Sequence, residues 1–141
     1  MDIYFEFIGN HSLLFIALLI IVIFLLQSLF SDLTRKYKLV TVAEAIDLIN
    51  REEAVIIDTR NQAEFDSGHI TDAILIPLPE IKENDEKLKK YEGKPLLFYC
   101  KTGARSDEAC KILNKLGINN IYALNGGVQS WQDADMPLVK K

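Results

Sequence analysis

Fourteen consecutive apolar residues, Leu13 to Leu26, constrain this chain more than any other feature, because no small soluble domain leaves such a stretch without a partner. Ile8 extends the run on one side, and Leu29 and Phe30 extend it on the other. About 20 residues of helix cross roughly 30 Å of hydrocarbon, so residues 9 to 30 suffice for a transmembrane helix. A cleaved signal peptide needs a basic leading segment, whereas this one carries Asp2 and Glu6, and no small-residue cleavage site follows. All 16 Lys and Arg lie from Arg35 onward, with Arg35, Lys36 and Lys38 just after the span. The positive-inside rule then expects a single-pass protein whose C-terminal part faces the cytoplasm, as in a bacterial inner membrane. His11, Gln27 and Ser28 read as interfacial residues.

The composition shift near residue 35 divides the chain into an N-terminal segment, 1–34, and a soluble part, 35–141. The soluble part is long enough for one compact core. Its acidic and basic residues nearly balance, which gives no reason to expect nucleic acid as a partner. Cys100 and Cys110 do not form a dense disulfide framework, and no Cys/His cluster has metal-ligand spacing, so neither a disulfide nor a metal nor another cofactor is expected.

Short apolar runs alternate with helical periodicity across the soluble part. Lys38–Val40, Ala54–Ile57, Ala73–Ile76, Pro95–Tyr99 and Ile121–Ala123 read as five strands. Thr41 with Glu44 has the form of a capping box, so a helix begins there and buries Ala45, Ile46 and Ile49. Residues 79–91 read as exposed helical turns with Ile81 and Leu88 as apolar anchors. Ala109, Ile112, Leu113 and Leu116 share one face of a helix over 106–116, which Gly117 ends. Strands alternating with helices imply a parallel sheet covered on both faces, an α/β fold. Ligands of such sheets gather at the carboxyl ends of strands, which here are Asp58 and Cys100.

Cys100-Lys101-Thr102-Gly103-Ala104-Arg105 places a thiol at a strand end, a glycine where the chain must curl, and an arginine leading into a helix. Unpaired N–H groups in a first helical turn, with the helix dipole behind them, favour an anion in such a loop. A thiolate or a persulfide anion would be held there, so Cys100 is the candidate nucleophile, and Arg105 either orients a donor or pairs with Asp58. Cys110 reads as a core thiol.

The soluble part resembles the single-domain rhodanese family in three blocks that occur in the family's order. Asp58-Thr59-Arg60, Glu64-Phe65 and Gly68-His69-Ile70 form the first; Cys100-x-x-Gly103-x-Arg105 is the second; Gly126-Gly127 followed by Trp131 is the third. The resemblance implies a rhodanese-like domain with a central five-stranded parallel sheet flanked by helices, and sulfurtransferase chemistry through Cys100. It also implies bracing roles for Asp58, Arg60, Glu64 and His69, and turn and packing roles for Gly126, Gly127 and Trp131. Lys101, Thr102, Gly103, Ala104 and Arg105 form the expected anion-binding loop. Related phosphatase loops place five residues between cysteine and arginine, whereas four lie between Cys100 and Arg105, a tighter ring that suits sulfur.

The expected activity is thiosulfate sulfurtransferase: sulfane sulfur moves from a donor such as thiosulfate to a thiol or protein acceptor. Membrane lipid is the partner of residues 9–30, and a membrane-protein partner is compatible with the anchor. The alternative function is a membrane-tethered interaction module of the same fold that binds an inner-membrane protein.

Overall fold

The computed structural model describes residues 1–83 and 86–141 and divides into two compact units, 1–35 and 36–141. The first unit is helical. α1 (Asp2–Asn10) ends at His11, whose φ of −121° breaks the helix, and α2 (Ser12–Leu33) follows. The expected span of 9–30 therefore shifts towards the C-terminus. Gly9, Asn10, His11 and Ser12 are all poor helix formers, and the break falls among them. Ser12–Ser31, with mean hydropathy 3.0, is long and apolar enough to cross a membrane by length and composition, a test that a signal sequence also passes. Phe7 packs beside the His11 ring at 4.7 Å and edge-on to Phe15 at 6.4 Å, joining the two helices across the break.

The second unit contains β1 (Lys38–Val40), α3 (Val42–Arg51), β2 (Val55–Asp58), α4 (Gln62–Ser67), β3 (Ile74–Leu75), α5 (Leu78–Glu83), α6 (Glu86–Lys89), β4 (Leu96–Tyr99), α7 (Ala104–Lys115), β5 (Ile121–Leu124) and α8 (Gly127–Asp133). The five strands form one parallel sheet in the order β1-β5-β4-β2-β3. Both faces are covered, as the uninterrupted apolar strands require. Successive side chains of a strand point to opposite faces. On β4, Leu96 and Phe98 enter one core with Ile57, Ala109, Cys110 and Leu113, whereas Leu97 and Tyr99 enter the other with Ala45, Leu48, Val128 and Trp131. Cys110 is thus a core thiol on the sheet-facing side of α7, and Trp131 anchors α8.

The α3 capping box forms as expected, with Thr41 Oγ1 accepting from the Glu44 N–H and Glu44 Oε2 accepting from the Thr41 N–H. α7 begins at Ala104, two residues earlier than its apolar spacing indicates, because Gly103 in the left-handed region supplies its start. The turns expected over 79–91 resolve into α5 and α6, and the part of that segment at residues 84–85 lies outside the described residues. Ile81 and Leu88 are buried in the core and pin the segment down, so it is not simply a solvated face.

β2 and β4 are neighbours, with Asp58 opposite Tyr99, yet the chain leaves β2 towards β3 and leaves β4 towards β5 on the other side. Adjacent strands that part company in this way open a crevice at their carboxyl ends. A clamp holds the β2 side of it. Asp58, fully buried, accepts from the Arg60 backbone N–H at 2.9 Å, from Nε at 2.9 and 3.0 Å, and from Nη2 at 2.7 Å. Nη2 also donates to the Gly68 carbonyl at 2.7 Å, tying the end of α4 to the strand. Burial would lower the Arg60 pKa, but Asp58 beside it outweighs burial and raises it.

Asp58→Ala leaves the Arg60 guanidinium buried without its counterion, and it should cost about 3–5 kcal/mol. Denaturant unfolding of the two proteins measures that difference.

Candidate active site

Cys100 follows the most buried strand of the sheet and is itself only 1% exposed. Gly103, at φ +110°, turns the chain back over the cysteine, and its N–H donates to Cys100 Sγ at 3.0 Å. A side chain at this φ would be strained, which is the physical reason for glycine here. Sγ also lies 3.7 Å from Ser106 Oγ, whose hydroxyl donates to the Gly103 carbonyl at 3.0 Å. The sulfur therefore sits against the first turn of α7, whose twelve residues place the positive end of the helix dipole there. Lys101, Thr102 and Ala104 face solvent around it.

A loop that turns N–H groups inward exposes carbonyls on its other side. α8 supplies their donors: the Val128 N–H meets the Cys100 carbonyl at 2.7 Å, and the Gln129 N–H meets the Lys101 carbonyl at 3.2 Å. The contact brings Gly127 so close that a Cβ would stand 2.4 Å from the Cys100 oxygen and 2.7 Å from the Lys101 carbonyl carbon. The Gly126-Gly127 pair, expected to be a turn, is also the seat of the cysteine loop.

Arg105 does not pair with Asp58, whose oxygens Arg60 occupies. Its Nη1 and Nη2 instead donate to Glu64 Oε2 and Oε1 at 2.7 and 2.9 Å, a bidentate pair between α7 and α4. Glu64 simultaneously completes a capping box on α4 with Asn61. The hydrogen bonds from Arg105 are the main cause holding the Glu64 carboxyl down to about 2, and Glu64 in turn raises Arg105.

His69 makes no ion pair among the described residues. One ring nitrogen donates to the Phe65 carbonyl at 2.9 Å, the ring stacks on Phe65 at 3.8 Å, and its backbone bridges Val139. Tyr99 closes the bracing: its hydroxyl accepts from the Ile70 N–H at 3.1 Å, and burial raises its pKa above the ordinary value. Asp58, Arg60, Glu64 and His69 thus all act on the framework around the loop. Sequence reasoning passed over Ser106 and Tyr99. The only signal for Ser106 was its position three residues after Gly103, where a hydroxyl can reach back to a helix-initiating carbonyl.

The family model of the rhodanese-like domain matches residues 41–134. The chain belongs to this family. The uncharacterized protein YibN of Escherichia coli (strain K12) is 35% identical over 136 residues, covering 96% of this chain and 95% of that protein. The thiosulfate sulfurtransferase GlpE of Coxiella burnetii is 32% identical over 96 residues, covering 68% of this chain and 88% of GlpE. Among solved structures, a rhodanese-related protein from Thermoplasma volcanium superposes with a TM-score of 0.65 at 31% identity, covering 74% of this chain and 100% of that one. These likenesses agree with the five-stranded parallel sheet and the three sequence blocks. The stretch matched to the YibN of E. coli includes the N-terminal region as well as the rhodanese-like domain, since it covers nearly all of both chains.

Two outcomes test this geometry. Gly127→Ala pays the left-handed backbone cost of about 1–2 kcal/mol and the collision with Cys100. Gly93→Ala, at φ +88° with open space around it, pays the backbone cost alone. Denaturant unfolding should show the larger loss for Gly127→Ala, and iodoacetamide should alkylate its Cys100 faster than in the parent. For Glu64, a carboxyl whose pKa is lowered by folding contributes stability above its ordinary value of 4.5, and that contribution disappears as pH falls towards about 2. Glu64→Gln should therefore flatten the acid limb of the stability profile between those values, as followed by unfolding midpoints at stepped pH.

Proposed function

We propose that this protein is a membrane-anchored sulfurtransferase that carries sulfane sulfur on Cys100. The observation that carries the reading is the seat of Sγ: buried at a strand end, 3.0 Å from the Gly103 N–H, and against the first turn of α7. A negatively charged sulfur there would meet a hydrogen-bond donor and the positive end of the α7 dipole. With thiosulfate as donor, the Cys100 thiolate bonds to the outer sulfur of thiosulfate, the S–S bond breaks, and sulfite leaves with the electron pair. The product is a Cys100 persulfide whose terminal sulfur bears the charge. A thiol acceptor then attacks that sulfur and releases the Cys100 thiolate.

Four residues between Cys100 and Arg105 support sulfur rather than phosphoryl as the transferred group, and the likeness to GlpE supports thiosulfate as donor. α2 serves as the anchor, and the cluster Arg35, Lys36 and Lys38 supports an orientation with the rhodanese-like domain in the cytoplasm. An interaction module alone would have no use for a cysteine held in this way, so any membrane-protein partner is better read as the source or destination of the sulfur.

Mass spectrometry of the full-length protein after incubation with thiosulfate tests the reading. A gain of one sulfur is expected on the Cys100 peptide and on no other, and it should vanish in Cys100→Ser. A correctly folded protein that takes no sulfur from thiosulfate or from any other persulfide donor would overturn it.

A further inference from the structure

α1 sorts its side chains onto two faces. At 3.6 residues per turn, Ile3, Tyr4, Phe5, Phe7 and Ile8 cover an arc of about 200°, and Asp2, Glu6, Gly9 and Asn10 share a contiguous arc of about 100°. No residue of α1 is buried, and the five large apolar side chains range from 45% exposed at Ile8 to 80% at Ile3. An apolar face of this width needs a cover, and among the described residues it has none.

The length of α2 decides where that face can lie. Ser12–Ser31 is 20 residues, about 30 Å of helix, and crosses the hydrocarbon unaided. Carried on straight, the nine residues of α1 would rise about 14 Å further, past a headgroup layer of about 5–8 Å, and would hold Ile3, Tyr4 and Phe5 in water. Drawn into the hydrocarbon instead, they would take Asp2 and Glu6 with them, and carboxylates inside a bilayer are strongly disfavoured. The break at His11, with φ −121° and ψ 27°, releases α1 from both outcomes. Phe7, on the apolar face, lines one hollow of about 260 Å³ with His11, Leu14, Phe15 and Leu18, so that face runs on into the apolar surface of α2.

We propose that α1 is an interfacial helix, lying along the boundary between headgroups and acyl chains at the Ser12 end of the span. Tyr4 stands at the centre of its lipid-covered face, and Asp2, Glu6 and Asn10 turn to water. The assignment rests on α2 being the membrane anchor proposed above. Neither Lys nor Arg stands on α1, so anionic headgroups do not draw it in; its apolar face does. Gly9, Asn10, His11 and Ser12 then sit at the boundary itself, and α1 acts as a stop that fixes how deeply α2 can sink.

The test places the full-length protein in phosphatidylcholine nanodiscs whose lipids carry bromine either near the headgroups or near the chain ends. Single substitutions supply fluorescent reporters: Phe5→Trp and Phe7→Trp on α1, and Phe24→Trp near the middle of α2. Trp131 is buried, and its signal on the unsubstituted chain is subtracted. Phe24→Trp should be quenched most by the deep bromine. Phe5→Trp and Phe7→Trp should be quenched most by the shallow bromine and little by aqueous iodide. Glu6→Leu combined with Phe7→Trp should move the maximum towards the deep bromine. Quenching of both α1 reporters by iodide alone would overturn the interfacial helix, and so would deep quenching equal to that of the Phe24→Trp protein. Shielding from bromine and iodide alike would overturn it in favour of a protein partner or a second copy on that face. A Phe24→Trp reporter without deep quenching would overturn the anchor itself.

Discussion

The cysteine loop depends on a conflict in the peptide unit: N–H and C=O point in opposite directions, so a loop that aims donors at a sulfur aims acceptors away from it. Buried carbonyls need partners. In this fold they come from α8, through the Val128 and Gln129 amides, at a separation that leaves no room for a side chain at residue 127. The rest of α8 follows from that requirement. Trp131 is buried against β4 and β5 and donates from Nε1 to the Pro137 carbonyl at 3.1 Å, fixing the helix and the segment after it. The glycine pair and the tryptophan, separated in sequence, are one device for seating the cysteine.

Two arginine–carboxylate pairs flank the loop, and they do different work. Asp58 and Arg60 lie two residues apart in a nearly dry environment, where the pair closes the end of β2 and reaches across to Gly68. Glu64 and Arg105 are about one-third exposed and join two helices that are distant in sequence. Because Glu64 neutralises Arg105, the attraction for an anion in the loop rests chiefly on the Gly103 N–H, the start of α7 and the Lys101 charge. A shift in the Arg105 position would therefore act on the loop more through geometry than through lost charge.

The sequence made the sheet legible because most of its strands are continuous apolar runs, and the parallel-sheet rule placed Asp58 and Cys100 at the carboxyl ends of strands; that those two strands are neighbours follows only from the sheet order. The three motif blocks carried the family. Partner choice was not legible. Asp58 sits two residues from Arg60, Glu64 sits 41 residues from Arg105, and nothing in either spacing says which acid meets which base. That choice is made by the fold, which brings Glu64 on α4 within reach of Arg105 on α7 and leaves Arg60 to Asp58. The close approach of Gly127 was hidden for the same reason, since it depends on where another loop's carbonyls lie. The break at His11 escaped notice because hydropathy counts apolar residues and ignores helix propensity, which is poor throughout 9–12.

The proposed carriage of sulfur rather than a phosphoryl group has a physical counterpart in the size of the ring. A transferred phosphoryl group spreads its charge over three equatorial oxygens, and a loop that stabilises them needs many converging N–H groups. Here the span between Cys100 and Arg105 is four residues, and the Gly103 amide is already engaged with Sγ. Arg105, which would otherwise reach an equatorial oxygen, is turned to Glu64 by two hydrogen bonds. What remains suits a single terminal sulfur with one negative charge.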